Sequence, residues 1–472
     1  MEEGVLKGKK IVFITGSSGR EELMLKLSKQ LKKKHNLETY FLSFAVGDTV
    51  GYFMNNGVKR THVETIVFDE TQEYKFDKFK LEEKEKLYGF KLFDLWQSVA
   101  PRRKRFLEFN DKKVLSWTGF ILNHVEEYAD RIKPDYVFLT GIAAFNYVIP
   151  YRVFQKKGAK IIELTNARVP GRFTFDNDLT SKWPLVAQNY QTIKKEGLND
   201  EQRKNAQEFL SNFRDKPFRP DDSAKRKDPL KKKIKRYVQH AKVFAYRRSI
   251  PPLKPFFYYP VMDKILIHSS RFQDPVEGEK FVLFPLQIQP EASTSIRGKW
   301  FSNQVALIEN LSRSIPCDHK LYVKEHFRNY SKRPRGFHDE ITKFPNVRLI
   351  SPKAKTIDLI KKSSLVSTIN GTAGWEATLM QKPVLTFGDV FYTLLDDVYE
   401  VKDVTILPDL IKERIGKSIE EEHVLEFIAA LHQGSFSGIG ALPGDCQNRS
   451  LTDENIHKLV YGIEEYTKRI KK

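Results

Sequence analysis

Residues 281–392 contain four short apolar runs, and in three of them small or polar residues follow at once. The runs occupy positions 281–284, 321–323, 365–369 and 384–387. Short apolar runs bounded by turn residues are typical of buried parallel strands. In open α/β sheets, ligands bind outside the carboxyl ends of such strands. The sequence therefore predicts an α/β sheet here, with a binding site made by the residues that follow its strands.

The most informative segment is the small-residue turn Asn370–Gly374, which precedes a helix predicted from Trp375. Such a turn lets a ligand approach the backbone, and the helix offers free N–H groups and the positive end of its dipole. This combination is typical of a phosphate site. Lys324 and His326 follow another strand and add positive charge or hydrogen bonds. Glu376 is placed to accept hydrogen bonds from ribose hydroxyls.

Each of these features alone is also typical of a tight turn, a surface strand end or a solvated helix residue. No single segment decides between the two interpretations. Their joint occurrence favours the phosphate site, because sheet topology brings the carboxyl ends of parallel strands to one edge.

The ordered strings QPEAST, LYVKEH, PNVRLISP, STINGTAGWEA and KPVLTFGDVFY resemble the capsule polysaccharide biosynthesis family. Members of that family resemble the Kdo-transferring glycosyltransferases of capsule and lipopolysaccharide assembly. The resemblance covers residues 281–395, and more loosely 134–180. It implies a GT-B-like α/β fold, in which two Rossmann-like domains face a cleft and the C-terminal domain binds the nucleotide-sugar donor. The family usually has a proline directly after the histidine, and that proline would stiffen the turn. This chain has Phe327 at that position, after His326.

The donor-binding residues predicted on this basis all follow strands of the second domain. They are Gln289, Glu291, Ser293, Thr294, Lys324, His326, Asn370, Gly371, Thr372 and Glu376. No Asp-x-Asp motif is expected at a strand end, so the predicted enzyme uses no metal, and no cofactor is expected.

The first half of the chain predicts a second series of strand–helix units. A strand at Ile11–Thr15 leads into a Gly16–Gly19 turn and a helix over residues 21–34, and further strands are expected at 37–44, 63–68, 134–141 and 159–166. The turn lacks the full Gly-x-Gly-x-x-Gly spacing of a dinucleotide site.

Glu163 and Asp176 lie at or just past a strand end. The resemblance implies that they face the cleft from the acceptor side, either one acting as general base or nucleophile, although Asp176 also suits ordinary loop chemistry.

The predicted domain organisation has four parts. They are an acceptor-side domain (1–194), a basic helical insertion with a Pro-rich linker (195–262), a nucleotide-sugar domain (263–450) and a C-terminal helix (451–472). The basic run Lys231–Arg236 suits an anionic membrane surface or an acidic acceptor, and equally an exposed helix with a charge bias.

The net charge of +20 over 472 residues favours negatively charged partners. No RRM, KH or helix-turn-helix signature is present, which argues against nucleic acid as a partner. Only two cysteines occur, Cys317 and Cys446, which is typical of a reducing compartment and excludes a disulfide scaffold. No signal peptide and no membrane-spanning run is expected. These observations predict a cytoplasmic protein, soluble or peripheral at the inner face of the membrane.

The leading functional prediction is a glycosyltransferase of capsule or surface polysaccharide biosynthesis. It would transfer a sugar from a nucleotide-sugar donor, with CMP-linked sugars among the candidates, to a glycan or glycolipid acceptor. Three alternatives remain at this stage: a teichoic-acid-type polyol-phosphate transferase, a non-catalytic capsule-assembly protein and an RNA-binding protein.

Overall fold

The structure is a computed structural model. It describes residues 5–15, 20–44, 49–67, 72–95, 111–142, 145–217, 271–289, 291–327, 333–334, 336–440 and 447–470. The Gly16–Gly19 turn, the basic run Lys231–Arg236 and most of the predicted insertion and linker lie outside the described residues. Two mainly parallel sheets flanked by helices make up the described residues, and this confirms the predicted α/β, GT-B-like fold class.

The first sheet has seven strands, in the order β13-β6-β5-β4-β1-β2-β3. Its strands are β1 (Lys10–Thr15), β2 (Glu38–Ser43), β3 (Val63–Thr65), β4 (Tyr136–Leu139), β5 (Lys160–Asn166), β6 (Arg172–Asp176) and β13 (Phe436–Ser437). The first five are parallel, whereas β6 runs antiparallel to β5 and β13 antiparallel to β6. The helices are α1 (Glu21–His35), α2 (Thr49–Asn55), α3 (Lys78–Tyr88), α4 (Asp111–Ile132) and α5 (Phe145–Lys156).

The second sheet has six parallel strands, in the order β12-β11-β10-β7-β8-β9. Its strands are β7 (Phe281–Pro285), β8 (Lys320–Lys324), β9 (Val347–Ile350), β10 (Leu365–Thr368), β11 (Val384–Thr386) and β12 (Val398–Glu400). The helices are α8 (Gln304–Ser314), α9 (Phe337–Thr342), α10 (Thr356–Lys362), α11 (Thr372–Leu379), α12 (Leu407–Arg414) and α13 (Glu421–Gln433). All four apolar runs from which the sequence analysis began are strands. They are buried on both faces, which explains their continuous hydrophobicity.

Two helices after the first sheet pack with the second one. They are α6 (Pro184–Glu196) and α7 (Asp200–Asp215), which begins at a capping box made by Asn199 and Gln202. The buried side chains of Tyr190 and Phe213 share a core with the second sheet and with α13. By packing, residues 184–215 therefore belong with the second sheet, and the boundary predicted at residue 194 falls inside α6.

The end of the chain returns to the first sheet. Strand β13 (Phe436–Ser437) pairs with β6. The short helix α14 (Gln447–Ser450) precedes α15 (Asp453–Arg469), the amphipathic helix expected for the tail. The carboxylate of Glu464 on α15 contacts Lys34 Nζ at 2.7 Å and His35 Nε2 at 2.6 Å at the end of α1. Within the described residues, no helix combines the length and apolar character needed to span a bilayer.

Candidate active site between the two sheets

Glu163 and Asp176 lie side by side in the first sheet. Antiparallel pairing of β5 with β6 sets these two residues directly opposite each other. Both are almost completely buried, with exposed fractions of 4% and 1%. The sequence analysis placed both residues at or just past a strand end, with loop chemistry as an alternative for Asp176, but it did not predict β6 and so could not pair the carboxylates. Their adjacency follows from the strand pairing.

Arg297 approaches this carboxylate pair from the second sheet. It ends a π-helical turn, Ser293–Arg297, which follows β7. Arg297 Nη2 lies 3.6 Å from Glu163 Oε2 and 4.0 Å from Asp176 Oδ2, and its Nε donates to the Leu179 carbonyl at 3.3 Å. Neither of these carboxylate oxygens has a hydrogen-bond partner among the described residues. Arg297 therefore connects the two halves of the site electrostatically, and the sequence analysis missed it.

Burial dominates the protonation of the carboxylate pair. It raises the pKa of Glu163, and burial together with the neighbouring Glu163 carboxylate raises the pKa of Asp176 well above its usual range. Arg297 opposes both shifts. Two buried carboxylates this close cannot both ionise freely, so the pair holds a proton at a pH where isolated carboxylates would be ionised.

The end of β6 also carries an Asp-x-Asp sequence, Asp176-Asn177-Asp178. The expectation that no such motif lies at a strand end was therefore wrong, because it depended on treating this segment as a loop. Asp178 acts electrostatically on both Glu163 and Asp176. Its carboxylate accepts a hydrogen bond from the Thr180 backbone N–H at 2.7 Å. Among the described residues, no group of three or more His, Cys, Asp or Glu side chains is arranged to hold a metal ion.

The predicted donor residues follow adjacent strands of the second sheet. Strand β7 is flanked by β8 and β10, so the segments after these strands meet at one edge. Asn370 Nδ2 donates to the Ser293 carbonyl at 2.9 Å, which joins the segments after β10 and β7. Thr372 is the first residue of α11, and Glu376 is half-buried on the same helix.

The turn before α11 is held by a residue that the sequence analysis did not select. With its oxygen turned towards the turn, the Gln287 side-chain amide accepts from the backbone N–H groups of Gly371 at 2.8 Å and Asn370 at 2.9 Å. Gly371 N–H also lies 3.1 Å from Thr368 Oγ1. In this structure the Gly371 N–H is therefore engaged by protein atoms. The N–H groups of Thr372 and Ala373, in the first turn of α11, are therefore the ones that remain for a phosphate at the helix start.

Packing accounts for the small residues of this turn. A Cβ atom on Gly374 would lie 2.6 Å from Cζ of the fully buried Tyr392, whose hydroxyl donates to the Gly371 carbonyl at 2.6 Å. A Cβ atom on Gly371 would lie 3.0 Å from Thr368 Oγ1. The two glycines are thus required because a larger residue would clash with neighbouring protein atoms. This is a second reason for small residues here, beside the sequence-based one that they let a ligand approach the backbone.

The segment after β8 differs from the sequence-based picture. Lys324 is only 5% exposed, and its Nζ donates to the Glu325 carbonyl at 3.1 Å. The His326 ring stacks on Phe327, with 4.9 Å between ring centroids. Between them, Glu325 is fully buried, forms an ion pair with Arg333, and has its Oε2 2.7 Å from His338 Nε2. The sequence analysis quoted Glu325 within a motif but gave it no role.

The four other predicted donor residues lie in or beside the π-helical turn. Gln289 accepts from Gln304 Nε2 at 2.8 Å, and Thr294 is fully buried, with its Oγ1 3.4 Å from the Glu291 carbonyl. Glu291 itself is exposed. Ser293 has a buried hydroxyl oxygen with no partner among the described residues.

A cavity of about 510 Å³ lies between the first sheet's helices and the π-helical turn. Phe90, Val148 and Ile296 contribute apolar walls, and charged side chains complete the lining, among them Arg152 and Lys299. The cavity shares Leu179 and the π-helical turn with the carboxylate site, because Leu179 lines the cavity while its carbonyl accepts from Arg297. The cavity and the carboxylate site are therefore adjacent to each other.

The two α/β sheets, joined by the contact of Arg297 with the carboxylate pair, agree with the predicted GT-B-like fold. Residues 200–395 match the capsule polysaccharide biosynthesis protein family. This match confirms the resemblance predicted from the motifs and extends it to α7 and the residues before β7.

Individual relatives are more distant. Protein FixF of Sinorhizobium fredii is 30% identical over 142 residues, which make up 29% of this chain and 33% of FixF. The chain thus matches a third of the length of this curated relative. Among solved structures, Thermosulfurimonas dismutans KpsC, a beta Kdo 2,7 transferase, is 12% identical with a TM-score of 0.38, covering 96% of this chain and 99% of KpsC. The S. aureus MnaA-UDP structure is 14% identical with a TM-score of 0.29, covering 98% of both chains.

Proposed function

We propose that this protein is a glycosyltransferase of capsule or surface polysaccharide biosynthesis. It transfers a sugar from a nucleotide-sugar donor to a glycan or glycolipid acceptor. The observation that carries the proposal is the buried pair Glu163–Asp176, faced at 3.6 and 4.0 Å by Arg297 from the sheet that bears the donor motifs. The family match over residues 200–395 supports the biological context.

In the proposed reaction, the donor phosphate lies at the start of α11. The leaving nucleotide gains negative charge as the sugar departs, and preorganised donors stabilise such charge well in a dry site. Those donors are the N–H groups of the first turn of α11, the buried Lys324 amino group and the His326 side chain. This arrangement supplies the stabilisation from the protein itself, and we propose transfer without a metal ion.

The carboxylate pair acts on the other side of the scissile bond. One member is ionised and serves as general base or nucleophile, while the other retains the shared proton. Arg297 favours the ionised form of the active member, since a nearby positive charge lowers the pKa of a carboxylic acid. The acceptor occupies the neighbouring cavity, whose apolar and charged lining suits a sugar with both CH faces and hydroxyl groups.

Nucleotide binding gives the first test. Purified protein is titrated with CMP, UDP and GDP, and at least one should raise its melting temperature. Lys324→Ala removes a charge-assisted contact of about 1.5–3 kcal/mol, which corresponds to a loss of about 10- to 100-fold in nucleotide affinity. Lys320→Ala is the matched control, because Lys320 begins the same strand at the opposite edge of the sheet. Equal effects of both substitutions would contradict the proposed donor edge.

Transfer is tested with the carboxylate variants. Glu163→Gln or Asp176→Asn should abolish sugar transfer while leaving nucleotide affinity within about 2-fold. Activity retained in EDTA supports a metal-free reaction, whereas activity that EDTA removes and Mg²⁺ or Mn²⁺ restores would refute it. Phosphorus from the donor appearing in the product would indicate a polyol-phosphate transferase and would overturn sugar transfer.

A further inference from the structure

The buried ion pair after β8 extends well beyond the two residues predicted to bind phosphate. Glu325 accepts from Arg333 Nη2 at 2.8 Å and Nε at 3.1 Å, and its Oε2 lies 2.7 Å from His338 Nε2. The side chains of Glu325 and Arg333 are 0% and 4% exposed. Burial alone would raise the pKa of Glu325, but the hydrogen bond with His338 and the charge of Arg333 lower it to about 2. The carboxylate is therefore ionised throughout the physiological range.

Arg333 also reaches the segment after β7. Its Nη1 donates to the Gln287 backbone carbonyl at 3.0 Å, while the Gln287 N–H donates to Gln304 Oε1 at 2.8 Å. The Gln287 side chain in turn accepts from the N–H groups of Asn370 and Gly371. A continuous series of contacts therefore runs from Glu325, through Arg333 and Gln287, to the turn that opens α11.

We propose that Glu325 and Arg333 are positioning residues which, through Gln287, fix the Asn370–Gly371 turn so that the start of α11 receives the donor phosphate. This inference rests on the proposed function for its ligand, a nucleotide phosphate. The contact series itself exists without a ligand.

The physical reason for this arrangement lies in the short turn. Two of its N–H groups are held by Gln287, which leaves the next N–H groups of α11 with a defined direction. Hydrogen bonds aimed at a phosphate lose strength steeply when their geometry is disturbed, so a shift of about 0.5 Å at the turn is enough to matter. A rigid, fully buried ion pair is better suited to hold such geometry than exposed side chains, which solvent screens.

A second ion pair in the same sheet provides a matched control. Arg348 at the start of β9 forms a bidentate pair with Glu279, at 2.6 and 2.9 Å, near the opposite edge of the sheet. Arg333→Lys and Arg348→Lys each keep the charge and lose the fork geometry. Both substitutions are expected to destabilise the protein, but only Arg333→Lys disturbs the donor turn.

The first measurement needs no ligand. Amide hydrogen exchange of peptides covering residues 366–376 is compared in the wild type, Arg333→Lys, Glu325→Gln and Arg348→Lys. Exchange at Asn370 and Gly371 should become at least 10-fold faster in the first two variants and stay unchanged in Arg348→Lys. Equal exchange in all four proteins would overturn the inference. Arg333→Lys alone is sufficient if Glu325→Gln does not fold.

The second measurement is donor affinity. For a nucleotide that binds the wild type, Arg333→Lys should weaken binding by about 5- to 20-fold, while Arg348→Lys should change it by less than 2-fold. The KM for donor should rise with little change in kcat, because the reacting groups are untouched. Unchanged affinity in Arg333→Lys would overturn the inference. No nucleotide binding by the wild type would instead overturn the proposed function, and the exchange result would still decide whether the contacts hold the turn.

Discussion

Arg297→Gln is the most informative single change, because Arg297 is the cation that faces both buried carboxylates. At 3.6–4.0 Å and an effective dielectric constant near 20, each attraction amounts to about 4 kcal/mol. The Arg297 side chain is 21% exposed, so water screens part of this energy. We therefore expect a loss of about 3 kcal/mol in the free energy of unfolding at pH 8, in line with the cost of breaking a buried ion pair.

The loss should depend on pH in a particular direction. Burial raises the pKa values of Glu163 and Asp176 in the folded protein above their values in the unfolded chain, near 4. Stability therefore falls as pH rises from about 4 through the folded-state pKa values, because the unfolded chain releases its protons first. Without Arg297 these pKa values rise further, and the fall continues to higher pH. The two proteins should differ little near pH 4, and the difference should grow towards pH 8.

Guanidinium denaturation at pH 4, 6 and 8 measures this effect, with Lys299→Gln as the control. Lys299 lies in the segment just after Arg297, and its replacement changes net charge equally, but its partner is Asp94 and not the carboxylate pair. In a transfer assay, the acidic limb of the pH profile should also move to higher pH in Arg297→Gln, since a carboxylate must ionise to act.

A loss of stability that is the same at pH 4 and pH 8 would refute this reasoning. It would mean that Arg297 contributes only its packing and its hydrogen bond to Leu179. The same conclusion would follow if Lys299→Gln reproduced the pH dependence. If Arg297→Lys keeps at least half of the stability that Arg297→Gln loses at pH 8, that result would support an electrostatic origin of the loss.

Three further predictions follow from single features. Asp176→Asn should raise the free energy of unfolding at pH 8 in denaturation measurements, because burial raises the pKa of Asp176 above its value in the unfolded chain, and a loss of stability would contradict it. Gly374→Ala should lower the free energy of unfolding by about 1–3 kcal/mol through its clash with Tyr392, and unchanged stability in the same assay would show that the ring moves freely. Charge reversal across Lys231–Arg236 should reduce sedimentation with anionic vesicles at low salt, since each basic residue near such a surface contributes about 1 kcal/mol, and unchanged sedimentation would leave that run as a solvated face.

The sequence by itself determined four of the six strands of the second sheet and the edge at which the donor motifs lie. Central parallel strands are buried on both faces, so they appear as continuous apolar runs, and the polar residues after them must lie at the carboxyl edge. This reasoning found the strands at Phe281, Leu321 and Leu365 and the turn before α11. The motifs also supplied the resemblance to a family, and the family model matches residues 200–395.

Only the tertiary structure decided which side chains meet. The strand Arg172–Asp176 was missed, because its five residues have no long apolar run and owe their conformation to pairing with β5 and β13. That pairing makes Glu163 and Asp176 neighbours. Arg297 approaches them from the other sheet, 134 and 121 residues further along the chain, through packing that no local pattern encodes.

The same holds at the donor edge. Composition identified Asn370–Gly374 as small residues, but only the structure shows that Gln287 occupies two of their N–H groups and that Tyr392 requires the space beside Gly374. Local sequence encodes strand, turn and helix because their periodicity and steric limits act over a few residues. Partnerships of charges and hydrogen bonds depend on the order of strands in the sheet, which is settled by long-range packing.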